Sequence, residues 1–438
     1  MYSQRIEVLL KSKDIKIGDR IELTKGKETY EGILMPRIEL GDTSNIVIKL
    51  SNGYNIGVKF EKGISIRKTG SGKNLGNFPE RKVKPNAALP TISILSTGGT
   101  IAGRVDYVTG AVSWHLSPEE IFFTVPELEK IINLKRSEKI FSVASENMTS
   151  KHWIKMAEEV AKELNSGVKG VVIMHGTDTM HFSSAALSFM LKNLNKPVVF
   201  TGAQRSTDRG SSDNVFNIIC SSYLAGYSDI AEVGICMHGE SSDTFSYFMR
   251  GTKVRKMHTS SRDAFKVIND LPIAKIWNNG KVEITNQNYK KRAEGEVKLD
   301  TSFEEKVALI KAYPGATTDM LNFLVDKGYK GIVIEATGLG HVPTGDINWI
   351  YDIKRSIDKG VAVVLAPQTL YGKLNPFVYE PARKLLQTGV IYAEDILPET
   401  AYVKLGWVLG HTKKLEKVKE MMLTNYAGEI VDRREVID

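Results

Sequence analysis

Apolar positions along this chain follow two rhythms. Up to about residue 70 they come in short runs of strand length: DRIELTK (19–25), TYEGILMPR (29–37), NIVIKL (45–50) and YNIGVKF (54–60). Turn-forming residues separate them, most clearly GDTSN (41–45) and SNG (51–53). SNG between two apolar runs predicts a tight hairpin. Several short strands packed into so short a stretch predict a small β-barrel of the SH3 or Sm type over residues 1–75. The polar, Gly- and Pro-containing stretch that follows has no periodicity and reads as a linker over 76–90.

From residue 91 strand-length apolar runs alternate with amphipathic helical stretches. The runs are TISIL (91–95), KGVVIM (169–174), PVVFTG (197–202), EVGICMH (232–238), GIVIEA (331–336) and VAVVLA (361–366), with HFSSAALSFMLKNL (181–194) reading as a helix. Such alternation predicts an α/β fold with a mainly parallel sheet, buried on both faces. A second polar stretch divides it into a larger α/β domain (91–286), a linker (287–304) and a smaller α/β domain (305–438).

Charge sharpens this division. Residues 1–85 hold 17 Lys and Arg against 10 Asp and Glu, so almost all of the formal +8 lies in the N-terminal module. A compact basic module points to a polyanion such as RNA, or simply to a solvated basic surface. The two cysteines, Cys220 and Cys236, sit in apolar surroundings without metal-ligand spacing, which argues against a disulfide framework. The first residues lack the basic-then-apolar order of a signal peptide, and no apolar run is long enough to span a bilayer. A cytoplasmic chain without a membrane contact is expected.

In open α/β sheets ligands bind beyond the carboxyl ends of strands. The segments there are STGGTIAG (96–103), HGTDTM (175–180), TGLGH (337–341) and PQT (367–369), which are expected to converge on one crevice. STGGTIAG is neither G-x-G-x-x-G nor G-x-x-x-x-G-K-[ST], so a phosphate cradle is unsupported. Its adjacent glycines either make a structural turn or bring Thr100 close to a ligand. Thr177-Asp178 sets a hydroxyl beside a carboxylate at a second strand end, although Asp178 has the alternative of merely capping a helix.

STGGTIAG and HGTDTM together resemble the paired signature of the bacterial-type L-asparaginase family. ALSFMLKNLNKPVVFTGAQ (186–204) and RGTKVRKMHTSSRDAF (250–265) extend the resemblance over residues 90–438. It implies Thr100 as nucleophile, Tyr107 as its activator, and Thr177, Asp178 and Lys256 as a second catalytic triad, with no metal. It further implies that Gly99, Ser145, Glu146 and Gly176 bind the substrate. A threonine hydroxyl needs an adjacent base, and a lysine deprived of solvent can serve as one. Two positions depart from the family pattern: Glu146, where a neutral residue is usual, and His341, where asparagine is usual.

Residues 1–90 have no counterpart in a plain asparaginase. The stretch EGILMPRIELGDTSNIVIKLSNGYNIGVK (31–59) and the motif GLGHVP (338–343) resemble the asparaginase-like, D-type subunit family of archaeal-type glutamyl-tRNA(Gln) amidotransferases. That resemblance implies release of ammonia from glutamine or asparagine for use by a partner, the E-type subunit of the same amidotransferase. The partner would bind Glu-tRNA(Gln) and activate it with ATP and Mg2+, so this chain itself needs no cofactor. A homodimer within a heterotetramer is implied. Two further readings are a stand-alone cytoplasmic L-asparaginase and a catalytically dead RNA-binding scaffold.

Overall fold

The computed structural model describes residues 2–36, 43–51, 55–71, 86–98, 125–205 and 211–432, together with the backbone of a short hairpin, Gly103–Val105 with Val112–Trp114. The N-terminal module begins with a helix, α1 (Gln4–Ser12), absent from the expectations drawn from sequence. Its signal was short: Ile6 and Leu10, one turn apart, are the only two of its nine residues that are buried. Five antiparallel strands follow, β1 (Arg20–Lys25), β2 (Glu28–Leu34), β3 (Asn45–Leu50), β4 (Asn55–Lys59) and β5 (Ser65–Gly70), in the order β4-β3-β2-β1-β5. β3 and β4 pair in antiparallel register, with Lys49 opposite Asn55; Asn52 and Gly53 of the SNG turn lie outside the described residues. Alternate strand residues, Ile21 and Leu23 or Ile46 and Ile48, point into one small core drawn wholly from residues 2–66. Several of the module's cations are matched by carboxylates: Arg67 by Glu22, Lys68 by Asp19, Lys25 by Glu61 and Arg20 by Glu31. Among the described residues, these cations are interleaved with carboxylates.

The second sheet has eight strands. β6 (Thr91–Ser96), β9 (Asn133–Lys139), β10 (Val171–Met174), β12 (Val198–Thr201) and β13 (Val233–His238) run parallel. Here β7 and β8 denote the short hairpin, and β11 is Leu191–Lys192. The sheet then turns antiparallel through β14 (Ser246–Arg250), past the separate ribbon β15 (Val254–Lys256) and β16 (Phe265–Val267), to β17 (Ala274–Ile276) and β18 (Val282–Ile284). Its inner parallel strands β10, β12 and β13 are buried on both sides, so successive residues enter different cores. Val171 and Ile173 join the cluster under helices α2 (Ser150–Asn165) and α3 (Met180–Met190), while Val172 and Met174 join the one under α4 (Asn214–Tyr227).

The chain then crosses to a third sheet along residues 285–304, which are closely tied down. Arg292 donates to the carbonyls of Ser228, Lys169 and Ala225, the Asn165 side chain bonds both N and O of Val297, and β19 (Lys298–Leu299) pairs with β11. The third sheet is all parallel: β20 (Val307–Lys311), β21 (Gly331–Ala336), β22 (Ala362–Pro367) and β23 (Ile391–Tyr392). Helices α5 (Asp319–Asp326) and α6 (Trp349–Asp358) cover one face, with α7 (Glu380–Leu386) leading into β23.

The other face carries α8 (Pro398–His411), and α9 (Leu415–Leu423) follows. Helix α8 is buried nearly all round, because its opposite side meets α3. The Phe189 and Trp407 rings stack there with centroids 5.8 Å apart. The two α/β sheets therefore share one hydrophobic core.

Candidate active site

The register of the parallel strands decides where the chemistry sits. Ser96 at the end of β6, Met174 at the end of β10 and Thr201 at the end of β12 lie side by side. The segments that begin at Thr97 and His175 therefore leave the same sheet edge together. Thr97 is fully buried and fixed there, its N–H and its hydroxyl both donating to the Met174 carbonyl, at 3.0 and 3.1 Å. Gly98 has φ +105°, a left-handed conformation, and a Cβ at that position would come within 3.0 Å of the Val143 backbone. Gly99, Thr100 and Tyr107 lie outside the described residues.

Three expected catalytic residues do come together. Lys256 lies at the end of β15, seventy-eight positions from Asp178, and its Nζ donates to Thr177 Oγ1 at 2.8 Å and to Asp178 Oδ1 at 2.7 Å. Thr177 is buried and the Lys256 side chain is only 9% exposed, whereas the Asp178 carboxylate is 67% exposed. A hydroxyl and an amine nitrogen are thus within proton-transfer distance in a shielded position, with a carboxylate on the solvent side of the pair.

Gly176 supplies close approach. A Cβ there would lie 2.8 Å from Ser145 Cβ and 2.9 Å from Ser145 Oγ, so only glycine lets the HGTDTM loop meet the SEN turn at residues 145–147. The Ser145 carbonyl accepts a 2.6 Å hydrogen bond from Thr179 Oγ1. Ser145 and Glu146 also border a cavity of about 290 Å3 walled by Met148, Trp153, Phe182, Leu309 and Tyr402. Ser145 is buried and Glu146 exposed.

Two histidines flank the triad that sequence reasoning passed over. His175 is fully buried, its Nδ1 donating to the Gly176 carbonyl while Nε2 has no partner among the described residues; burial pushes its pKa down to about 4. His181 is pushed down to about 3, by burial first and then by the cations of Arg255 and Lys256. Both stay neutral at pH 7. The available signal was their place two residues before Thr177 and three residues after Asp178.

The crevice expected from four loops is only partly realised. Residues 337–341 and 367–369 close strands β21 and β22 of the smaller sheet, not of the eight-stranded one. There Thr337 and His341 bond one another across a tight turn, and His341 stands edge-on to Tyr379, with ring centroids 5.3 Å apart. Parallel strands in two separate sheets generate two carboxyl edges, and the sequence pattern does not say which strand joins which.

Comparison with known proteins accounts for nearly the whole chain. Residues 15–68 match the GatD N-terminal domain family, residues 91–290 the Asparaginase N-terminal family, and residues 306–422 the Glutaminase/Asparaginase C-terminal domain family. The D-type subunit of the glutamyl-tRNA(Gln) amidotransferase of Pyrococcus furiosus is 56% identical over 432 residues, covering 97% of each chain. The chain belongs to the family of D-type subunits of glutamyl-tRNA(Gln) amidotransferases. That of Methanopyrus kandleri is 46% identical, over 98% of this chain and 94% of its own. Among solved structures, the thermostable L-asparaginase from Thermococcus kodakarensis is 29% identical with a TM-score of 0.70, covering 78% of this chain and 99% of its own. L-asparaginase I from Vibrio cholerae is 28% identical with a TM-score of 0.68, covering 78% and 100%. The D-type family thus joins an asparaginase-like α/β unit to an N-terminal module that plain asparaginases lack. Among the described residues, no helix is long and apolar enough to cross a membrane.

Proposed function

We propose that this chain releases ammonia from the side-chain amide of glutamine or asparagine and passes it to a partner that amidates Glu-tRNA(Gln). The observation that carries the proposal is the Lys256 bridge between Thr177 and Asp178, set on the parallel-sheet edge that Ser96 also ends, where the STGGTIAG segment begins. Thr100 is assigned as the nucleophile and Tyr107 as the group that accepts its proton. Its oxygen adds to the amide carbon, the C–N bond breaks, and nitrogen leaves as ammonia after taking up a proton; water then hydrolyses the acyl-threonine ester. In that second step Thr177 takes a proton from the attacking water as it passes its own to Lys256 Nζ across the 2.8 Å contact, and Asp178, bonded to the same nitrogen, stabilises the positive charge there. Ser145, Glu146, Gly99 and Gly176 are assigned to substrate binding, with Glu146 facing the substrate ammonium.

The partner is assigned as the E-type subunit of the amidotransferase, with ATP and Mg2+ used at its own site, and the assembly as a cytoplasmic heterotetramer built on a homodimer of this chain. Ammonia release from glutamine and asparagine, measured with and without the partner and Glu-tRNA(Gln), tests the proposal. Strong stimulation by the partner and tRNA is expected; full asparagine hydrolysis without stimulation would instead indicate a stand-alone asparaginase. Thr100→Val is expected to abolish glutamine-dependent amidation while free ammonium still supports it, and loss of both would overturn the assignment of Thr100.

A further inference from the structure

The short strand that carries Lys256 is held from the smaller domain. Lys253, fully buried, donates to Asp395 Oδ2 at 2.6 Å and to the Asp395 carbonyl at 3.1 Å. Two residues on, Arg255 Nη2 lies 3.1 Å from Glu399 Oε1, and the other oxygen of that carboxylate is buried without a hydrogen-bond partner among the described residues. Thr252 is gripped as well: its carbonyl accepts from Thr400 Oγ1 at 3.0 Å and its hydroxyl donates to the Ala427 carbonyl at 2.9 Å. Lys256 points the other way, into Thr177 and Asp178. β15 is only three residues long and, among the described residues, pairs with β16 alone, so its own ladder gives it little rigidity. The rigid body behind it is the start of α8, which also packs on α3, the helix entered directly from Thr177-Asp178.

We propose that Asp395 and Glu399 are positioning residues: through Lys253 and Arg255 they set the place of Lys256 Nζ against Thr177, so that the smaller domain controls the chemistry of the larger one. This rests on Lys256 acting as proposed above. Buried carboxylates are an expensive way to staple two domains, since apolar pairs of similar volume serve stability as well or better. Two of them within five residues, both matched to cations in the three positions just before the same lysine, fit a geometric requirement.

The test uses the full chain, or the complex if hydrolysis requires it. The variants are Lys256→Met, Asp395→Asn, Glu399→Gln, and the double variant Lys253→Met with Asp395→Asn, in which both charges of the buried pair are removed together. The readouts are kcat, KM and Tm. Lys256→Met is expected to be inactive; if it keeps wild-type kcat, the reading of the site fails and this inference with it. Asp395→Asn and Glu399→Gln are expected to lose roughly 10- to 100-fold in kcat with KM changed less than about 3-fold, the size expected for a reacting group displaced by about an ångström. The double variant separates position from stability. Its Tm is expected to return toward wild type while kcat stays low. If kcat recovers with Tm, or if Lys256→Met is inactive while the single carboxylate variants retain wild-type kcat, the clamp is structural and the inference is overturned.

Discussion

At the scale of single residues, the informative positions are those that the chain cannot exchange. Gly176 is one: its missing side chain is what lets Ser145 stand against the loop that carries Thr177. Gly176→Ala forces the two loops apart. Overpacking of this kind costs about 1–3 kcal/mol, and the displaced residue is one assigned to substrate binding. The expected outcome is a KM for the amide raised by about an order of magnitude, read from initial rates, with a smaller fall in Tm. An unchanged KM would remove Ser145 from the binding site. Individual residues of the site were legible where type and spacing carried the information. Thr177-Asp178 stood out as a hydroxyl beside a carboxylate at a strand end, and Lys256 followed from a resemblance across RGTKVRKMHTSSRDAF. Asp395 and Glu399 were not legible. Each is a carboxylate near a helix start, and only the folded path of β15 gives either one a partner.

At the scale of elements, strands were easier to read than the order in which they pair. The runs at 91–96, 171–174, 198–201, 233–238, 331–336 and 362–367 are continuous and apolar because both faces are covered, and a sequence shows that directly. The antiparallel extension β14-β17-β18 and the partition of strands between two sheets depend on loop paths that periodicity does not encode. The loop after β10 and the first turn of α3 also set a pH dependence. His175 and His181 are neutral in the fold, with burial lowering both below the ordinary value of 6.5, whereas both protonate once the chain unfolds. The unfolded state then binds more protons than the native one below pH 6.5. Stability should be full above that value and fall as pH drops toward about 4, by ~1.4 kcal/mol per pH unit for each histidine. Urea unfolding midpoints between pH 7 and pH 5 measure the slope. His175→Gln, which can still donate to the Gly176 carbonyl, should remove about half of the part due to this pair. An unaltered slope would mean that His175 is solvated in the native state.

At the scale of the whole molecule, the arrangement of the cores predicts two cooperative units rather than three. The N-terminal module has its own core, drawn from residues 2–66, while the two α/β sheets share a cluster through α3 and α8. Calorimetry of the full chain is expected to show Ile21→Ala lowering one transition and Phe189→Ala lowering another. Such large-to-small changes cost roughly 2–5 kcal/mol each. A separate third transition for the smaller α/β sheet would contradict the shared core. The division of the chain by charge and periodicity was visible from the start, whereas the fusion of the second and third regions was not. The apolar faces of HFSSAALSFM and PETAYVKLGWVLGH read equally well as the inner faces of two separate domains.

That fusion bears on how such a chain could have diversified. Genes recombine most freely where a crossover falls between bodies that fold apart, and the tied-down segment 285–304 looks like such a place only on paper. A crossover there would divide Phe189 from Trp407 and Lys253 from Asp395, so a transplanted smaller sheet would have to bring complementary partners for both. Among the described residues, by contrast, the N-terminal module has a core of its own, drawn from residues 2–66 and shared with neither α/β sheet. Lineages built on this fold are therefore free to acquire or lose what precedes the asparaginase-like unit, while the unit itself is inherited whole.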